Sequence, residues 1–264
     1  MPLIRDFINL FRTSTNTDFG ARRAGYVTDQ IGILHRYQRE SAQWQSHLDK
    51  TKRFVLSAAE KLETHETLAV LGSGWLLDLP IDQLAPMFKQ ITLFDIVHPK
   101  LTQHIAKKYS NVVLQTADLT GGLVKVATEC SSFSEFMERM PHAEVPNLNS
   151  FSLVVSLNLL NQLDIILCDY LTARFDLSDN DLEPVRKWVQ QQHINSMPSG
   201  ASCLVADYQE INTNIDTGEQ TIRNSVYATL PTLLERDEWI WNFDTNQRYN
   251  SRQNTQFKVM ALRF

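Results

Sequence analysis

Cysteine is scarce in this chain and basic residues are outnumbered. Only three cysteines occur, Cys130, Cys168 and Cys203, an odd count without a C-x-x-C pair, which excludes a disulfide framework and a thioredoxin-like redox pair. Their neighbours (ILCDYL, CLVA) are apolar, so all three read as reduced structural thiols. Seven histidines are scattered with no H-x3-H pair and no Cys/His cluster, and no metal is expected. Lys and Arg number 25 against 30 Asp and Glu, for a net charge of −5; without a local basic patch no nucleic-acid partner is expected. The longest apolar stretches, at 68–72 and 152–160, fall well below the ~18–20 residues of a bilayer span, so no membrane partner is expected. The first residues carry Arg5 and Asp6 inside their one apolar patch and lack a small-residue cleavage site, which makes the cytoplasm the expected location.

What remains is ordinary globular material. Of 264 residues, 43% are hydrophobic and 21% charged, enough for one large domain with an appendage. The hydrophobic period changes near residue 67. From Thr28 to Leu62 apolar positions such as Ile31, Leu34, Leu48, Val55 and Ala59 recur at helical spacing, predicting one long helix or two abutting ones, with Thr28 or Asp29 as N-cap. The preceding stretch, 13–26, is loop-like and carries Arg22 and Arg23. Beyond residue 67, β-rich runs at 67–72, 91–96, 111–118, 151–158 and 201–207 alternate with helical segments, one of them expected over SSFSEFMERM. Their continuous apolar character implies strands covered on both faces. Two more runs, at 238–244 and 255–264, read as an antiparallel hairpin. The expected fold is α/β: a doubly wound, mostly parallel sheet of seven strands at 67–264 behind a helical extension or lid at 1–66.

Ligands of an open α/β sheet sit beyond the carboxyl ends of its strands, where strand order reverses. The first strand runs into LGSGWLLDLP, where Gly72 and Gly74 flank Ser73 and either turn the backbone against a ligand or form a plain tight turn. Asp95 ends the second strand 21 residues after Gly74, the separation at which an acidic residue accepts hydrogen bonds from ribose hydroxyls. Its competing role is to cap a helix begun at His98 and Pro99. Asp118 reaches the same edge one strand further out, to accept from an adenine amino group or to close a turn before Gly121 and Gly122. Leu77 replaces the third glycine of a dinucleotide fingerprint, which disfavours NAD, and no P-loop occurs.

Taken together these residues resemble the class I S-adenosylmethionine-dependent methyltransferases, in a bacterial subgroup of unassigned substrate with G-x-G-x3-D-L-P after the first strand, here Gly72, Gly74, Asp78, Leu79 and Pro80. The resemblance covers roughly 67–264. It implies a Rossmann-like sheet of order 3-2-1-4-5-7-6 with the last strand antiparallel, S-adenosylmethionine as cofactor, and a cofactor site of Gly72, Ser73, Gly74, Asp78, Asp95, Ile96, Asp118, Leu119 and Asn158. Two positions depart from the family pattern: Val70 replaces an acidic residue before the first glycine, and Leu76 replaces a third glycine. Asp78 then either takes the cofactor's amino group or caps the helix that Pro80 begins.

By the same resemblance, the end of the fourth strand, with Ser156, Asn158, Asn161 and Gln162, lies beside the sulfonium and the acceptor, unless these groups cap the next helix. Asp207 and Tyr208 leave the fifth strand beside the same cleft, and His193 precedes it on a helix as a packing or solvated residue. The head helix presents His35, Arg36, Tyr37, Arg39 and Trp44. Either Tyr37 or His35 lines the acceptor pocket, or Tyr37 and Trp44 pack on the body. Trp239 and Trp241 share one strand face. The catalytic candidates are thus Tyr37, Asn158, Asn161 and Tyr208. Methyl transfer from a sulfonium asks for alignment and exclusion of water, and for a base only when the acceptor must lose a proton. The expected function is methyl transfer to a small-molecule acceptor. The alternative is a non-catalytic methyltransferase-like scaffold; a short-chain dehydrogenase is ranked last, because no Tyr-x3-Lys pair occurs.

Overall fold

The apolar runs become strands with their side chains withdrawn from water. The computed structural model describes residues 26–264; most of the loop-like stretch, with Arg22 and Arg23, lies outside the described residues. Strands β1 (Thr67–Leu71), β2 (Gln90–Asp95), β3 (Val112–Thr116) and β4 (Leu153–Leu157) pair in parallel, and the first part of β5 (Ser202–Asn214) pairs parallel to β4. Helices α2 (Ile81–Leu84), α3 (Lys100–Ala106), α4 (Leu123–Glu129), α5 (Phe133–Arg139), α6 (Ile165–Phe175) and α7 (Asp179–Ser196) supply the connections that parallel strands require. The segment SSFSEFMERM contains α5, whose start is fixed by Ser132 Oγ accepting from the Glu135 N–H.

The sheet departs from the expected seven strands. An eighth, β6 (Gln220–Asn224), forms a hairpin with the outer half of β5, and the main path runs β3-β2-β1-β4-β5-β8-β7, with β7 (Glu235–Asp244) and β8 (Gln253–Arg263) closing it. Setting β6 aside, this is the order 3-2-1-4-5-7-6, and β8 is antiparallel to both its neighbours. All five residues of β6 are exposed, so no apolar alternation marks it in the sequence. Its backbone is held by the part of β5 that continues beyond a register shift at Asp207 and Gln209.

The predicted head helix is a single element, α1 (Tyr26–Glu60). It is already under way before Thr28, so Thr28 and Asp29 occupy its first turns instead of capping it. Leu34, Trp44, Leu48, Val55 and Ala59 form its buried face, each large side chain contributing about 1.5–3 kcal/mol by leaving water. Trp44 Nε1–H donates to the Phe243 carbonyl at 2.9 Å, and the Glu40 carboxylate accepts from the backbone N–H and hydroxyl of Thr245 and from the Asn246 amide. From Glu40 onward α1 is therefore a fixed wall against β7. The three cysteines are buried, and burial pushes the Cys168 and Cys203 thiols up to about 12, which keeps them unreactive. No helix among the described residues is long and apolar enough to cross a membrane.

Candidate functional site

A cavity of about 550 Å³ lies over the carboxyl ends of the strands, at the β1/β4 reversal, roofed by α1 from Tyr26 to Leu48. The turn after β1 forms its floor. Gly72 and Gly74 hold φ of +74° and +43°, and a Cβ on Gly72 would press on the Leu159 side chain at 3.1 Å. Glycine is needed there for both reasons. A Cβ on Gly74 would project toward the Gln30 amide of α1, 3.6 Å away. The turn is clamped: the Gly74 N–H donates to Asp95 Oδ2 at 2.7 Å, and the Gly74 carbonyl accepts from the Thr102 hydroxyl at 2.6 Å. Asp95 Oδ1 also accepts from the Val97 N–H. Asp95 caps no helix, since α3 starts at Lys100 behind Pro99; it latches the glycine turn to the tip of β2. Burial raises its pKa against the pull of these hydrogen bonds.

Asp78 does not cap α2 either, which starts behind Pro80 with no side-chain cap. Its Oδ2 accepts from the Asn158 amide at 2.8 Å, and burial raises its pKa. Asn158 stands at the tip of β4 with φ of +47°, a left-handed conformation that asparagine tolerates better than most side chains. Its amide also lies 3.3 Å from His47 Nε2, while His47 Nδ1 accepts the Trp239 indole N–H at 3.1 Å. Burial pushes His47 down to about 3. The ring is thus neutral, and Asn158 Oδ1 is left without a partner. Asp118 takes the turn role among its alternatives: its Oδ1 accepts both the N–H and the hydroxyl of Thr120. Its side chain still lines the cavity.

Beyond Asn158 the lining changes character. Asp207, buried at the β5 register shift, accepts from the Asn161 amide at 2.7 Å. Burial pushes its pKa up to about 7. Trp44, Trp241, Phe243, Tyr249 and Phe257 form an aromatic wall, and Arg36 lies over the rings of Phe243 and Tyr249 at 4.6 and 4.9 Å. Among the described residues, five carboxylates line the cavity (Asp29, Asp78, Asp95, Asp118 and Asp207) against one arginine. Among the described residues no group of three or more His, Cys, Asp or Glu side chains is placed to hold a metal ion.

All nine residues of the expected cofactor site line this cavity, as do the candidates Asn158 and Asn161. Tyr37 and Tyr208 do not, which corrects their placement at the reaction centre. Tyr37 packs on the core beside Trp44, 5.9 Å between ring centroids, and the Tyr208 hydroxyl donates to Glu238 on β7. His35 is exposed outside the lining, and Ser156 is taken by His193, whose Nε2 lies 2.8 Å from its Oγ in the core. Val70 and Leu76, the two departures from the family pattern, are both core residues. Leu76 keeps φ of +57°, the conformation a glycine would hold there at about 1–2 kcal/mol less strain. Sequence reasoning missed His47, Arg36 as a lining residue, and the aromatic wall. Helical spacing puts Arg36, Trp44 and His47 near one another along α1, but nothing local shows which strand they meet.

No protein-family model matches the chain, and no curated protein does. Among solved structures, a complex described as DhpI-SAM-HEP aligns over 94% of this chain and 100% of its own at 11% identity, with a TM-score of 0.41. The N-methyltransferase NodS from Bradyrhizobium japonicum WM9, with S-adenosyl-L-homocysteine, aligns over 84% and 87% at 12% identity and 0.39. A putative methyltransferase in complex with the Haloferax volcanii Trm112 activator aligns over 88% and 98% at 10% identity and 0.39. At such scores the likeness carries no argument of its own; the chain is a doubly wound, Rossmann-like α/β protein by its own strand order.

Proposed function

We propose that this chain is an S-adenosylmethionine-dependent methyltransferase acting on a small-molecule acceptor. The observation that carries the reading is where polar groups lack partners. Among the described residues, nine buried side-chain nitrogen and oxygen atoms have no hydrogen-bond partner, and six of them, on Gln30, Arg36, Ser73, Asn158, Asn161 and Trp241, belong to residues lining this one cavity. Folded chains partner most of their buried polar groups, so a cluster of unpartnered ones around one cavity supports a ligand there.

The donor set fits the cofactor. Carboxylates beyond three neighbouring strands suit ribose hydroxyls (Asp95), an adenine amino group (Asp118) and, from the loop after β1, an ammonium (Asp78), with Ser73, Ile96, Leu119 and Asn158 also in the lining. S-adenosylmethionine supplies, when bound, a methyl group already activated on a sulfonium. The protein's work is then positional: the glycine turn brings backbone close to the ligand, α1 and the aromatic wall exclude water, and Asn158 and Asn161 orient the acceptor. Asp207 is placed to receive a proton from an acceptor that must lose one, because it has no cationic partner and its pKa near 7 matches that task.

Calorimetric titration with S-adenosylhomocysteine tests the reading. Asp95→Ala is expected to weaken binding by about 1.5–3 kcal/mol, the range for a hydrogen bond to a charged group; unchanged affinity removes Asp95 from the site, and no binding to the wild type overturns the reading. Incubation with methyl-labelled cofactor and fractionated host extract then tests turnover. Binding without any labelled acceptor favours a scaffold over an enzyme.

A further inference from the structure

The polar groups of the cavity are unevenly divided between acceptors and donors. Most of them accept: Asp78, Asp95 and Asp118 on the floor, Asp207 on β5, and the free oxygens of Asn158, Asn161 and Gln30. Toward β7 two donors stand without acceptors, the Arg36 guanidinium and the Trp241 indole N–H. Both touch Phe243, Arg36 from 4.6 Å above the ring and Trp241 edge-on at 4.9 Å. Arg36 makes no hydrogen bond or ion pair among the described residues, and its Nε is buried. Asp244 and Asp29 act on it electrostatically without pairing with it, and the Asp244 oxygens accept from the backbone N–H groups of Asn246, Arg248 and Tyr249 at the β7–β8 turn. Among the described residues, Arg36 is the one Lys or Arg side chain in a lining that carries five carboxylates. A guanidinium 4.6 and 4.9 Å from two ring centroids, with no acceptor of its own, can offer its donors to a planar anion.

We propose that Arg36, with the Trp241 indole N–H, recognises a carboxylate on the methyl acceptor, and that the acceptor is a planar, ring-bearing acid stacked on the aromatic wall. This rests on the methyl-transfer reading and names its substrate class. The charge ratio favours a single negative charge over a phosphate dianion, which the surrounding carboxylates would repel.

The full chain is titrated with 4-hydroxybenzoate and with its neutral amide, 4-hydroxybenzamide, following quenching of tryptophan fluorescence, and separately with S-adenosylhomocysteine by calorimetry. The acid is expected to bind at least tenfold more tightly than the amide. Arg36→Gln is expected to erase that preference, Arg36→Lys to retain part of it, and S-adenosylhomocysteine affinity to change less than twofold in either variant, which also shows that both are folded. Equal binding of acid and amide to the wild type, or a preference that survives Arg36→Gln, overturns the proposal. So does a tenfold loss of S-adenosylhomocysteine affinity in Arg36→Gln, which would assign Arg36 to the cofactor's own carboxylate. If S-adenosylhomocysteine fails to bind the wild type, the methyl-transfer reading falls, while the acid-to-amide ratio in the same sample still decides the anion site.

Discussion

At one end of the cavity, the polar groups come from short turns at the tips of adjacent parallel strands, and most of their bonds run to backbone atoms of the same or the next turn, as Asp95 does to Gly74 and Val97. At the other end, the contacts join residues far apart in the chain, such as Trp44 and Phe243, 199 positions from each other. The first construction makes a rigid polar floor whose residues follow from the strand pattern. The second makes an apolar wall whose shape depends on α1 lying across β7 as it does. A difference in construction implies a difference in how each end fails.

Truncating the wall should cost most. Trp241 is buried and packs on Trp44, His47, Phe243 and Phe257, so Trp241→Ala is expected to lower stability by about 3–5 kcal/mol in urea unfolding. At a ligand concentration where the variant is folded, its affinity for S-adenosylhomocysteine should change little. A large loss would mean that the two ends are not separable.

The next effect is on pH dependence. Asp207, near 7 in the folded protein against an ordinary 3.8, binds a proton that the unfolded chain has released, so its contribution to stability falls as pH rises from about 4 to 7. His47 and His193, held by burial near 3 and 4, act in the opposite sense. The unfolded chain protonates them first, so their contribution is lost as pH falls below about 6.5. Asp207→Asn, a neutral mimic, should therefore gain on the wild type by about 3 kcal/mol between pH 5 and pH 8. Parallel urea midpoints at the two pH values check this, and an unchanged difference would show that Asp207 is already ionised at pH 5.

The smallest expected effect is at the floor. Gly72→Ala places a side chain at φ of +74° against Leu159, expected to cost about 1–2 kcal/mol of stability and to weaken S-adenosylhomocysteine binding without altering the acid-to-amide preference at the aromatic end. If that preference moved as well, the floor and the wall would be one cooperative unit.

Much of the floor is legible in the sequence. The alternation of apolar runs with helices, the glycine turn, and the acidic residues at strand ends are local patterns, and each reports on backbone within a few residues of itself. The reading fails in two instructive places. Tyr37 and Tyr208 are plausible by residue type, but helix rotation turns Tyr37 onto the core and a hydrogen bond draws Tyr208 toward β7. Strand β6 leaves no apolar signature because both its faces meet solvent, and only its ladder with β5 defines it.

By itself, then, the chain determined its strands, its long helix and the chemistry available at the strand tips, since periodicity and glycine placement act over one or two turns of backbone. Only the tertiary structure decided that Asp95 latches the glycine turn, that His47 meets Asn158, and that Arg36 reaches the rings of Phe243 and Tyr249. Those contacts depend on the docking of α1 across β7, a long-range packing choice set by the summed burial of many side chains and by no single motif.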